Sequence, residues 1–495
     1  MPDTDWTPPF VLSLDAGSSS LRANVHDATG RLLPHLESQH RYPITTTPDG
    51  GLEIDPDELV GRLFAAIDRT IAQAGSLAGQ IAGVGFCSLV GNVMGVDEQG
   101  APVTPLYTWA DTRSAPQAEE LRRTLDEAAA HQRTGCLFHS SYLPARLLWL
   151  RETMPEEYGR AARWVSLGDY AYWLMFGRYA ESRSVASWTG LLNRRTLDWD
   201  AELLSALGVD ADRLPPLCDA YDAFQGLQGE FARRWPALAS VPWFPCVGDG
   251  VTSNIGSGCS VPERWAMQVG TSSALRVLLP RAAERIPRGL WEYRLDGQYT
   301  LLGGALSEGG NVLTWLRDTL GENAGQLETE AAAMEPDSHG LTFLPYVAGE
   351  RSPGWDSAAR AAIAGITLAT RPAHMYRAAQ EAIAYGFGAV YDLMREVQPE
   401  PEQVVASGGA LLYTQGWAQI MADVLGRPVT ASGEEEASAR GAALVALRGL
   451  GLIASFDEHP AALRNRYLPD PARHEVYTRA RERQRTMYGA MKPLW

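Results

Sequence analysis

A short apolar run from Phe10 to Leu14 ends in Asp15 and is followed by five small residues, Ala16-Gly17-Ser18-Ser19-Ser20. Leu21, Ala23 and Val25 then alternate with Arg22, Asn24 and His26, the period of a half-buried strand. Asp27-Ala28-Thr29-Gly30 supplies a turn before Arg31-Leu32-Leu33, so the pattern predicts a three-stranded antiparallel meander. The plan recurs downstream. Trp265 to Val269 reads as a strand, Gly270-Thr271-Ser272-Ser273 as a small-residue turn and Ala274 to Leu279 as a strand, with a further hairpin at Leu295-Asp296-Gly297-Gln298. Two similar turns in one chain point to an internal duplication, with halves starting near residues 10 and 245. Facing domains of this kind create a cleft, where ligands collect.

Helices fill the intervals. Asp55-Pro56 reads as an N-cap with proline in the first turn, and Leu59, Val60, Leu63, Phe64, Ile67 and Ile71 recur on one face. Trp417, Ile420, Met421, Val424 and Leu425 form a second apolar stripe that stops at Gly426 and Pro428. Gly83-Val84-Gly85 lacks the third glycine of a dinucleotide fingerprint and reads as a strand end. The uncharged stretch 404–422 is broken by Gly408-Gly409, Gln415 and Gln419, so no membrane span is expected. The acidic start, Met1 to Asp5, does not read as a secretory signal.

Composition removes whole chemistries. A formal charge of -16 argues against nucleic-acid or anionic-membrane binding. Lys492 is the only lysine, so neither a lysine-dependent phosphate loop nor a Schiff-base enzyme is available. Cys87, Cys136, Cys218, Cys246 and Cys259 stand singly, which fits buried structural thiols in a reducing, cytoplasmic setting better than disulfides or zinc.

Three segments remain that carry chemistry. Asp15 through Arg22 places a carboxylate at a strand end, then a turn whose amides and hydroxyls form an anion nest, then an arginine; an ordinary hairpin is the alternative. Gly248-Asp249-Gly250 sets Asp249 where a strand gives way to a helix, as an N-cap, as a general base, or as both. Ser407-Gly408-Gly409-Ala410 is either a platform for a flat base or a tight strand-to-helix turn.

The order of these motifs resembles the FGGY carbohydrate kinases, within the superfamily of sugar kinases, actin and chaperone ATPases. The likeness extends to Ala361 through Glu381, which matches the spacing of that family's C-terminal signature, and to Arg146-Leu147-Leu148-Trp149-Leu150, where the family normally has lysine. The resemblance implies an α/β fold of two actin-like ATPase (ribonuclease H-like) domains, 1–250 and 251–495, each a mixed five-stranded sheet flanked by helices, with a cleft between them. It implies ATP and Mg²⁺, the metal held near Asp15, and Asp249 as the catalytic base. Phosphate falls to Gly17, Ser18, Ser19, Ser20, Arg22, Gly270 and Thr271, and nucleotide to Gly310, Thr314, Gly409 and Tyr413. Trp109, Asp111, Arg113 and Asn92 are the candidates for sugar contact, although Trp109 to Arg113 reads equally as a turn stapled by an internal ion pair. Glu350-Arg351 reads as structural.

Within the family, gluconokinases and their xylulokinase relatives come nearest. A small sugar, sugar acid or polyol is therefore the expected acceptor, with gluconate first and a ketose or polyol second, and a homodimer is expected by analogy. A regulatory ATPase of the same superfamily is the alternative from another class. Gly91-Asn92 and Ser307-Glu308 depart from the gluconokinase pattern, and Glu308 would repel a substrate carboxylate unless Arg113 or another arginine offsets it.

Overall fold

The computed structural model describes residues 6–321 and 324–495; Met1 to Asp5 lie outside them. The first half is built on β1 (Phe10–Ala16), β2 (Ser20–His26), β3 (Leu32–Arg41), α1 (Pro56–Ala74), β4 (Ile81–Ser88), β5 (Val247–Gly248) and α2 (Asp249–Gly256). β1, β2 and β3 form the antiparallel meander, while β4 adds to β1 in parallel and β5 adds to β4, giving the order β5-β4-β1-β2-β3. Every residue of β1 is buried, whereas the edge strand β3 alternates between buried and exposed positions. α1 starts as the sequence predicts: the Asp55 carboxylate accepts from the Glu58 amide at 3.0 Å, and Leu59, Val60, Leu63, Phe64 and Ile67 face the sheet.

The second half comprises β6 (Arg264–Val269), β7 (Ser273–Leu279), β8 (Trp291–Arg294), β9 (Thr300–Leu306), α3 (Gly310–Leu320), α4 (Pro372–Arg395), β10 (Gln403–Ser407), α5 (Trp417–Leu425), β11 (Val429–Ser432), α6 (Ala437–Gly449), β12 (Leu463–Tyr467) and α7 (Pro471–Met491). Its sheet runs β8-β9-β7-β6-β10-β11-β12. The five inner strands repeat the order and directions of the first sheet, so the expected duplication is present. The sheet has seven strands where five were expected, because the hairpin partner β8 and the late strand β12 extend its two edges.

A split at residue 250 does not separate the cores. α6 belongs by sequence to the second half, yet Ala442, Ala443 and Val445 pack in one cluster with Val11 and Cys87 of the first, joined by Val251 and Ile255 just past the split. The approach of α6 to α2 is close enough that a side chain at Gly256 or Gly441 would strike the other helix's backbone. Gly83 and Gly85 consequently lie inside β4 rather than at its end, since a side chain at 85 would collide with the Ala442 carbonyl. All five cysteines are free and buried, as expected. No helix among the described residues is long and apolar enough to cross a membrane.

Candidate active site

β1, β4 and β5 run parallel and end together, with Ala16 and Gly248 both in register with Ser88. Asp15 and Asp249 thus emerge on either side of β4 at the carboxyl ends of the strands, the usual place for a ligand in an open α/β sheet. Asp249 is the first residue of α2, the N-cap position belongs to Gly248, and no side chain caps the helix. The capping role is therefore ruled out, and the carboxylate interacts locally, with its own and the Gly250 backbone amides. Burial is the main cause that pushes it up to about 7; the negative charge of Asp15 adds to this, and the Arg276 guanidinium opposes it.

Arg276 reaches under Asp249 from β7, donating to the Gly250 carbonyl at 2.9 Å and to the Gln268 side chain. The glycines beside Asp249 do not keep a channel open. A side chain at either would meet the Trp188 indole, and one at Gly250 would also meet Arg276. Trp188 in turn stacks on Tyr293, with ring centroids 3.6 Å apart.

Asp15 is buried, and burial raises its pKa against the lowering effect of Arg22 and the Cys87 thiol, which donates to it at 3.5 Å. Arg22 sits 3.8 Å from Asp15 and 2.9 Å from Glu436, so two carboxylates already share its charge. In the adjoining turn, the Gly17 amide donates to the Ser20 carbonyl at 3.0 Å and the Gly17 carbonyl accepts from the Tyr42 hydroxyl at 2.6 Å. Ser20 turns away from the tip and accepts from Gln39, whereas Ser18 and Ser19 are exposed there.

The matching turn of the second sheet is closed in the same way, Gly270 amide to Ser272 carbonyl at 3.0 Å. Its outer carbonyls hold the start of α3: Gly270 accepts from Gly310 at 2.8 Å and Thr271 from Asn311 at 3.2 Å. Gly408 follows β10 with a φ of 96° and packs on the Val269 backbone, leading into the short helix Gly409–Tyr413. Gly270, Thr271, Gly310 and the Gly408-Gly409 turn are thereby brought together. Thr314 and Tyr413 lie exposed around them, Tyr413 at 77%.

On the acceptor side the predicted set divides. Trp109 is half-buried and lies under the Arg351 guanidinium, 4.9 Å from the ring centroid. Asp111 and Arg113 form the internal staple: Arg113 pairs with Asp111 at 2.6 Å and Glu53 at 2.8 Å and stacks over Trp149 at 4.6 Å. Asn92 is also committed to the fold, its amide donating to the Leu89 carbonyl and its oxygen accepting from the Leu167 amide. Arg146 is buried and braces this wall by donating to the carbonyls of Gly91 and Ser140 at 3.0 and 2.9 Å. Glu350 is structural, as expected, accepting from Tyr488 and the Gly354 amide, but Arg351 faces Trp109.

Residues 10–256 match the family model for the N-terminal domain of the FGGY family of carbohydrate kinases, and residues 265–450 match that for the C-terminal domain. The chain belongs to the FGGY family of carbohydrate kinases. It is 28% identical over 462 residues to the gluconokinase of Bacillus subtilis (strain 168), covering 90% of this chain and 89% of that one. To the glycerol kinase of Citrifermentans bemidjiense it is 32% identical over 476 residues, covering 90% and 91%. The ligand-bound xylulose kinase of Lactobacillus acidophilus superposes with a TM-score of 0.89 at 25% identity, covering 98% of each chain. The fold is the two-domain actin-like arrangement of FGGY kinases.

Tyr42, Trp188 and Arg276 are the residues that reading the sequence missed, and Arg351 was read as structural. Tyr42 and Arg276 reach the site through side-chain length from a neighbouring element, and Trp188 from the turn after Ser187. A cavity of about 690 Å³ between β2, β3 and the loop Gly433–Glu436 shares only Arg22 with the predicted residues and lies outside this FGGY site. The Asp15 and Asp249 carboxylates fit a hard divalent cation, since both are raised by burial and the charge on Asp15 raises Asp249 further.

Proposed function

We propose that this FGGY kinase transfers the γ-phosphoryl group of ATP to a hydroxyl of a small polyhydroxylated acceptor lying between Trp109 and Asp249. The uncapped Asp249 at the mouth of the first sheet, tuned to about 7, carries this reading. A base of that strength accepts a hydroxyl proton near neutral pH and releases it afterwards. Names of relatives support the acceptor class, since gluconate, glycerol and xylulose are all small and polyhydroxylated.

Asp15 and Asp249 would hold Mg²⁺, whose role when bound is to neutralise charge on the phosphate oxygens. The glycine amides of the two turns are used within the turns, so anion contact falls to the amides and hydroxyls at Ser18, Ser19 and Thr271. Gly310, Gly409 and the exposed Tyr413 frame the nucleotide side. Trp109 offers a flat face for C–H groups of the acceptor.

Asp249→Asn tests the assignment. The variant should fold and bind ATP within a few-fold of the original, while acceptor phosphorylation falls by about 10²-fold or more. In the unsubstituted protein with Mg²⁺ present, kcat/KM should fall towards about tenfold per pH unit as Asp249 protonates, with a midpoint below 7 because the cation favours the carboxylate. Near-normal phosphorylation by the variant, or ATP turnover that no acceptor stimulates, would overturn the proposal.

A further inference from the structure

Beyond Asp249 the acceptor wall runs continuously along aromatic and charged groups. Trp188 lies against Gly248 and Gly250 and stacks on Tyr293; the Tyr293 hydroxyl shares a 2.6 Å hydrogen bond with Tyr142; and both tyrosines lie within electrostatic reach of Arg351, which covers Trp109. Glu308, two residues past β9, completes this end and is only 4% exposed.

Two polar groups there have bonding capacity that the protein does not use. Glu308 Oε1 is buried with no hydrogen-bond partner, and so is Arg351 Nε. Arg351 spends one donor on the Leu306 carbonyl at 2.6 Å and forms no ion pair with Glu308. The neighbouring carboxyl of Glu350 differs, being satisfied by Tyr488 at 2.6 Å and the Gly354 amide at 3.1 Å. His139, also nearby, is held neutral, its pKa pushed down to about 3 by burial and by Arg122 and Arg351. Leaving one carboxyl oxygen and one guanidinium nitrogen buried and unpaired is costly, and a ligand that satisfies both removes that cost.

We propose that Glu308 and Arg351 together bind hydroxyls of the acceptor and thereby select a neutral polyol or ketose over a sugar acid, which places gluconate second. A hydroxyl both donates and accepts, so one hydroxyl or an adjacent pair meets Arg351 and Glu308 at once. A carboxylate only accepts; it suits Arg351 but is repelled by Glu308 once that group is ionised. The proposal rests on the kinase reading above and deepens it.

The titration of Glu308 adds a sign. Burial, with Glu350 alongside, pushes its carboxyl up to about 8 against its own and the Ser307 backbone amides and the opposing charge of Arg351, and Tyr346 also faces it. A protonated Glu308 tolerates a carboxylate, so use of a sugar acid should weaken as pH rises from 7 to 9 while a neutral acceptor is much less affected.

The test compares kcat/KM for gluconate with that for xylulose, ribulose, erythritol and glycerol in the original protein and in Glu308→Gln. At about pH 9, where Glu308 is ionised, at least one neutral member should exceed gluconate by about tenfold, and Glu308→Gln should shift that ratio about tenfold towards gluconate with the KM for ATP unchanged. Gluconate as the best substrate, or a ratio unchanged within about twofold in Glu308→Gln, overturns the proposal. If that variant does not fold, the original protein decides alone: the neutral-to-gluconate ratio should rise about threefold or more from pH 7 to 9, and a flat or falling ratio refutes it. Phosphorylation of no acceptor at all would defeat the kinase reading instead; calorimetric binding of the same panel then decides selectivity, with gluconate tightest as the refuting result.

Discussion

At the scale of residues, the site exchanges stability for chemistry. Asp249 is held up to about 7 by burial and by Asp15, so the folded protein binds a proton there that the unfolded chain releases near 3.9. The sign follows directly. Asp249 costs nothing below the unfolded pKa and becomes progressively destabilising as pH rises towards 7, by on the order of 2–4 kcal/mol above that. Asp249→Asn should therefore raise the Tm of the ligand-free protein at pH 8 and give little gain at pH 4; a gain that does not depend on pH would show that ionisation is not the cause. Asp15 and Asp249 could be picked out beforehand because a carboxylate at a strand end beside small residues is a local pattern. Arg276 and Tyr42 could not, since each is brought to the carboxylates only by the pairing of its strand.

At the scale of elements, the turns were the most legible part. An apolar run before Gly17–Ser20 with period-2 alternation after it, and matching strand patterns around Gly270–Ser273, define the hairpins, and the structure places both where the pattern does. Gly408-Gly409 was ambiguous between a base platform and a tight turn, and the geometry shows a turn whose first glycine has a φ of 96° against the Val269 backbone. Gly408→Ala should cost about 2 kcal/mol or more and weaken ATP binding along with it. A denaturant midpoint and an ATP titration check this, and an unchanged midpoint would reject it. Of the two extra edge strands of the second sheet, β8 is the first arm of the hairpin expected at Leu295–Gln298, whereas the polar, largely exposed β12 carries no buried period to read.

At the scale of the whole molecule, the two halves are duplicated in topology but not independent in packing. α6 closes the core over β1 and β4 although almost 350 residues separate it from β4 in sequence, counted from Ser88 to Ala437. A fragment of residues 1–256 should consequently fail to form a native core, with weak near-UV dichroism and exposed apolar surface, whereas a chain that also carries α6 should recover it. A cooperative unfolding transition in the short fragment would refute this.

The opening meander, the repeated small-residue turns and the absence of interior lysine follow from the chain alone, because hydrophobic period, turn chemistry and composition are local or additive properties. They suffice for a duplication, while the α/β fold and the roles of the carboxylates and turns were implied by the resemblance to FGGY kinases. The division of Trp109, Asp111 and Arg113 between an open face and an internal staple, the release of Asp249 from capping, and the meeting of Glu308 with Arg351 belong to the tertiary structure. Each depends on which side chains are left unpaired after distant strands and helices have packed, and burial and charge proximity of that kind have no one-dimensional signature.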